Sequence, residues 1–157
     1  VNLALYLMAL CVGVAISVQA AVNAQLAQGL GSNSVLAALV SFAVGTLGLG
    51  LVVVLRGGLP QALSLLAAQP LWKCAGGLLG ASFVFGSVFL APRIGLLNLV
   101  VLVIAAQLLT SMAIDHFGLV QMAVRKVSAV RATGALVMVL GVGLVLFGER
   151  IAASLSR

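Results

Sequence analysis

VNLALYLMALCVGVAISVQAAVNAQLAQGLGSNSVLAALVSFAVGTLGLGLVVVL, residues 1–55, contains no Asp, Glu, Lys or Arg. A soluble stretch of that length holds about a dozen charges, at roughly 25% charged residues. This one therefore belongs in lipid. The remainder extends the same composition. The 157 residues are 64% hydrophobic and 6% charged, with a mean hydropathy of +1.34. One domain's worth of such a chain excludes a soluble enzyme, a nucleic-acid binder and a disordered tail. The net charge of +6 rests on eight Lys and Arg. In membrane loops they neutralise anionic headgroups, and the basic patch with interleaved aromatics that nucleic acid needs is missing.

A spanning helix needs about 20 apolar residues to cross roughly 30 Å of hydrocarbon, and five segments qualify. Leu3–Gln28 is the first, ending at the turn cluster Gly29-Leu30-Gly31-Ser32-Asn33. Ser34–Leu55 is the second, stopped by Arg56-Gly57-Gly58 and followed by a loop bounded by Pro60 and Pro70. Cys74–Ala91 is the third, opened by Trp72 and Lys73 at headgroup level and closed by Pro92 and Arg93. Ile94–Ile114 is the fourth, bounded by Arg93 and Asp115, since either charge at the bilayer centre costs about 2.5 to 3.5 kcal/mol. Ala132–Gly148 is the fifth, extending backward through Lys126–Arg131 by snorkelling. Membrane strands alternate polar and apolar residues, whereas these runs are apolar on all sides. The fold class is all-α: a polytopic bundle of five transmembrane helices forming a single domain over 1–157.

A cleaved signal peptide is the competing account of the first run, and Val18–Ala24 resembles a cleavage site. The basic n-region is missing and four further apolar runs follow, so the run reads as a span. The short third linker makes helices three and four antiparallel neighbours. Asp115–Arg131, with three basic residues among Leu119, Val120, Met122 and Val127, reads as a surface-lying segment. Cys11 and Cys74 have neither a second Cys nor a His at metal-ligand spacing. They read as small buried thiols, and no metal or cofactor is expected. No nucleophile, base and orienting group converge, and His116 is the single histidine, so the chain does not read as an enzyme.

Gly134, Gly141 and Gly148 recur every seven residues and share one face of the fifth helix. Such stripes let backbones approach closely, because association in lipid relies on packing. They mark a packing face within one chain or between two. Gly45 and Gly48, and Gly76, Gly77 and Gly80, make shorter patches.

Five spans place Arg56, Lys73, Arg125, Lys126 and Arg131 on one side of the membrane and Arg93, Arg150 and Arg157 on the other. Orientation follows the Lys and Arg count in short loops, and five against three is a slight bias. A protein so balanced inserts both ways, giving an antiparallel homodimer equivalent to an inverted repeat, or it takes a fixed orientation set by the fourth loop.

No charge lies at the centre of a span, which argues against a proton-coupled exchanger using an intramembrane carboxylate. The buried polar residues carry the functional reading, since an amide in hydrocarbon must find partners. Gln19 and Asn23, four apart, share a face of the first helix near Ser17. Gln107 and Ser111 share a face of the fourth beside Thr110, with Asn98 about half a turn round. Each pair is either polar glue between helices or part of a midplane cavity binding substrate or a dehydrated cation. Asp115 and His116 lie at a helix end, as a solvated terminus or an interfacial proton or cation site. Phe85 and Phe89 stand at helical spacing, packing against lipid and core or walling a cavity with Phe42 and Phe83.

Gln19-Ala20-Ala21-Val22-Asn23-Ala24, Leu39–Leu47, Gly76–Ala81, Ala91-Pro92-Arg93-Ile94-Gly95 and Gln107 through Asp115-His116-Phe117-Gly118 resemble, in order and spacing, the recurring blocks of the YdcZ-like family. That family is a bacterial five-helix group of the drug/metabolite transporter superfamily. The chain departs from its pattern at Gln25, where a basic residue is common, and at Ala106, where glycine is frequent. The resemblance implies a multi-pass protein of the bacterial inner membrane, shaped like one half of a ten-helix transporter. It would work as a homodimer or with an oppositely oriented paralogue, exporting a small organic solute. A dual-topology channel for an ion or small solute is the alternative, with the lipid bilayer the one certain partner.

Overall fold

The computed structural model describes residues 3–155, and among them the regular structure is helical throughout. Five helical stretches are long and apolar enough to cross a membrane: Leu3–Gly29, Ser34–Arg56, Leu71–Ile94, Leu96–Phe117 and Ala129–Ser154. The chain divides into two compact units, Val1–Arg93 and Ile94–Arg157.

In the first unit, α1 (Leu3–Gly29) turns into α2 (Ser34–Arg56) through Gly31 and Ser32, both left-handed at φ 67° and 64°. Asn33 then caps α2, its side chain accepting from the Leu36 N–H at 2.9 Å. Gly57 and Gly58 end α2, with φ of 75° and 79° that a residue with a Cβ resists. The loop between Pro60 and Pro70 contains a short helix that hydropathy alone does not reveal, α3 (Leu59–Ala67), with a proline in its first turn. A 3-10 turn, Leu71–Cys74, leads into α4 (Ala75–Ile94).

Two expectations are corrected here. Pro92 does not close the third span; it sits inside the last turn of α4. Its missing N–H leaves the Val88 carbonyl, four residues back, without its usual donor, a loss confined to the helix end; beside it the Arg93 guanidinium donates to the Phe89 carbonyl and lies 3.6 Å from the centre of the Phe89 ring. Cys11 and Cys74 are exposed rather than buried. In a bilayer, apolar side chains face outward at no cost, so hydrophobicity stops predicting burial; Leu47 and Leu55 are about three-quarters exposed on the same ground.

The core of this unit is made of small side chains. Ala27 of α1, Ala37 and Ala38 of α2, and Val84 and Val88 of α4 form one buried cluster, edged by Leu26, Leu30 and Phe42. Of the glycine patches in α2 and α4, only Gly80 meets a neighbour: a Cβ there would stand 3.4 Å from Cζ of Phe42. Gly45, Gly48, Gly76 and Gly77 have nothing within 4 Å.

In the second unit, α5 (Leu96–Phe117) runs from Gly95 to a left-handed cap at Gly118. The fourth span therefore carries Asp115 and His116 in its last helical turn rather than beyond its end. A 3-10 turn, Leu119–Gln121, and a non-helical stretch lead to α6 (Ala129–Leu155), opened by Ser128, whose Oγ accepts from the Arg131 N–H at 3.3 Å. The linker is thus a tight reversal, pinned to α5 by Arg125 N–H to Asp115 O at 2.7 Å and Val127 N–H to His116 Nδ1 at 3.2 Å. α6 is longer than hydropathy suggests. It takes in Arg131 but not Lys126 at its start and continues through Glu149 and Arg150; its 27 residues span about 40 Å, beyond the hydrocarbon, where charges are solvated.

Gly118, the glycine of this linker, resists replacement. At φ 63° its Cβ would lie 2.7 Å from Val124 Cγ2 and 3.2 Å from the Met122 carbonyl oxygen. Gly118→Ala should lower stability by about 2 kcal/mol, from left-handed strain of about 1–2 kcal/mol plus the clash. Gly50→Ala, with open space around it, serves as the control. Thermal unfolding of the purified proteins in one detergent checks the difference, and equal melting temperatures would remove the steric account.

Candidate functional site

The structure brings Gln19 and Asn23 together along one face of α1, as their spacing requires. Asn23 is 6% exposed, and its Nδ2 donates to Ser41 Oγ of α2 at 3.1 Å. Asn23 also borders a seam with Ile16, Gln19, Phe83 and Ser87, whose cavity is about 10 Å³. That is room for one water at most. Ser87, buried and unremarked in the sequence, donates to the Phe83 carbonyl at 2.8 Å, and Ser17 to Gly13 at 3.2 Å. Asn23 therefore ties α1 to α2, while Gln19 is exposed beside it. Nothing in the sequence singles out Ser41, whose hydroxyl stands alone in an apolar run.

Because the buried Asn23 bonds a half-buried hydroxyl across two helices, Asn23→Leu should destabilise the protein by about 0.6 to 1.7 kcal/mol, the mean and the upper end for interhelical hydrogen bonds in lipid. Ser41→Ala in the Asn23→Leu background should add almost nothing. Unfolding midpoints of the four proteins give the coupling, and fully additive losses would show that the bond contributes no stability.

The polar residues of α5 separate. Asn98 donates to the Ile94 carbonyl at 2.7 Å and so stitches the chain entering the helix. Ser111 donates to the Leu108 carbonyl at 2.9 Å. Gln107, near the middle of α5, is exposed, and its side chain has no hydrogen-bond partner among the described residues. Ser111 borders the cavity described next, whose lining does not include Gln107.

That cavity, about 370 Å³, lies between α5 and α6 at the end where the linker reverses. Leu108, Met112 and Met138 form apolar walls, and Ser111, Asp115 and Arg131 supply the polar groups. Asp115 belongs to it and is half-buried; His116 instead uses Nδ1 to hold the linker and packs edge-on against Phe117. Arg131 is an interfacial charge by sequence alone, since its place opposite α5 depends on the reversal at Gly118. The first unit has two further hollows. One, about 320 Å³, is bordered by Gln28, Ser32, Ser34 and Arg93; the other, about 470 Å³, is an apolar groove walled by Phe42 and Phe85. The Phe85 and Phe89 rings lie 6.0 Å apart, tilted by 33°.

The glycine stripe of α6 makes no close approach inside the chain. A Cβ at Gly134, Gly141 or Gly148 would meet nothing within 4 Å. Among the described residues no group of three His, Cys, Asp or Glu converges on a metal-sized site.

A family model described as "Putative inner membrane exporter, YdcZ" matches residues 4–144. No curated protein and no solved structure matches the chain.

Proposed function

Since the chain belongs to the YdcZ inner-membrane exporter family, we propose that it is a small secondary transporter, exporting a small organic solute by alternating access as an antiparallel homodimer. The observation that carries this reading is Gln107: an exposed, unpartnered amide near the middle of a membrane span. An amide left facing hydrocarbon costs on the order of several kcal/mol, so a second surface must meet it. A copy inserted the other way round supplies one and builds the inverted repeat on which larger transporters place their midplane sites. The five-to-three distribution of basic residues supports insertion in both directions, and the open glycine stripe of α6 offers a face on which a second helix seats. In this arrangement Gln107 presents its amide to the solute, while Asn23 holds α1 to α2.

Purified protein in liposomes loaded with a defined mixture of amino acids, amines, carboxylates and sugars tests the reading by mass spectrometry of what leaves. The expected result is saturable loss of a subset of solutes that depends on an imposed ion gradient. Flux linear in driving force would identify a channel, and no flux above empty liposomes would remove transport altogether.

A further inference from the structure

The cavity between α5 and α6 holds two opposite charges that their own helices disfavour. Asp115 sits in the last turn of α5, at the negative end of that helix's dipole, and Arg131 in the first turn of α6, at the positive end. Reversing the two would stabilise both helices, so helix stability does not account for their placement. Neither do they neutralise one another, for no ion pair joins them among the described residues. Both border the same hollow of about 370 Å³, whose walls include the apolar side chains of Leu108, Met112 and Met138 and the side chain of Ser111.

We propose that this cavity binds a zwitterion with an apolar body, its ammonium at Asp115 and its anionic group at Arg131. A molecule carrying both charges a few ångströms apart bridges two side chains that do not reach each other, and the apolar walls take its hydrocarbon part. The residues involved come from α5 and α6 alone, so the site does not require the antiparallel dimer or the midplane amides. Two sources present this chemistry: a free apolar amino acid, and the headgroup of a zwitterionic phospholipid.

Leucine, 3-methylbutylamine and 4-methylpentanoate, which share an apolar body and carry both charges, the positive one and the negative one, separate the contributions. With the full chain in bilayer discs of phosphatidylglycerol, leucine is expected to bind at least tenfold more tightly than either analogue. Asp115→Asn should weaken leucine and the amine at least tenfold while sparing the carboxylate. Arg131→Gln should weaken leucine and the carboxylate while sparing the amine. The spared analogue in each variant shows that the cavity is still folded. Adding phosphatidylethanolamine to discs of the unsubstituted protein identifies the source: competition with leucine assigns the cavity to the lipid headgroup, and undiminished leucine binding assigns it to the free solute. Affinities equal for all three probes, leucine binding unchanged by both substitutions, or no leucine binding in any disc would each overturn the proposal. Because these are binding measurements, their failure leaves the transport reading standing, and failed transport leaves the cavity standing.

Discussion

Ala37→Leu should separate the first two spans and leave little folded protein in the membrane. Ala37 is 0% exposed and lies in the cluster where α1, α2 and α4 meet through Ala27, Ala38, Val84 and Val88. Helices associate in lipid by close packing, without a hydrophobic drive to compensate a poor fit. Overpacking alone costs about 1–3 kcal/mol, and three additional heavy atoms at a site with no exposed surface put the loss at or above the upper end. Ala43→Leu, on the same helix but exposed, should be neutral. The ratio of monodisperse to aggregated protein after detergent extraction reads the difference. Equal yields would mean that the small-residue cluster does not hold these helices together.

Gln107→Leu should have the opposite signature: normal or improved insertion with a roughly five- to thirtyfold loss of transport. Within the isolated chain Gln107 faces outward without a partner, so leucine relieves an unsatisfied amide and should stabilise the span. If the amide meets solute or a second copy, its loss removes an interaction worth about 1–2 kcal/mol in lipid, and about 1.4 kcal/mol is a factor of ten. Flux from proteoliposomes at matched protein content measures it. Native flux from Gln107→Leu would make Gln107 a lipid-facing residue with no part in the site.

These two residues also show where sequence reasoning reaches and where it stops. The five spans were legible because hydrocarbon demands long apolar runs, and Val1–Leu55 satisfies that demand twice without one charge. Their ends were less legible. Pro92 sits inside the last turn of a helix, where only one backbone bond is lost to it, and α6 continues past Glu149 because a helix need not stop where the bilayer does. α3 escaped notice because nine residues are too few for hydropathy to separate from a loop.

Within the site, the four-residue spacing of Gln19 and Asn23 was sufficient to place them on one face. It did not show that Asn23 would be consumed by Ser41, eighteen positions away, since a hydrogen bond between helices depends on their packing. Asp115 was visible as a charge at a helix end. Arg131 as its counterpart was not, because that pairing depends on the left-handed cap at Gly118 and the two bonds that fold the linker back onto α5. Buried cysteines were expected from composition and found exposed, which follows once the solvent is lipid.

Topology tests the central claim most directly. A reporter active only in the cytoplasm and one active only in the periplasm, fused in turn to the C-terminus, read which way each copy inserts. Strong signal from both fusions is the result expected of an antiparallel homodimer. Signal from one reporter alone would contradict it, and would mean that the five-to-three bias of basic residues is enough to fix a single orientation.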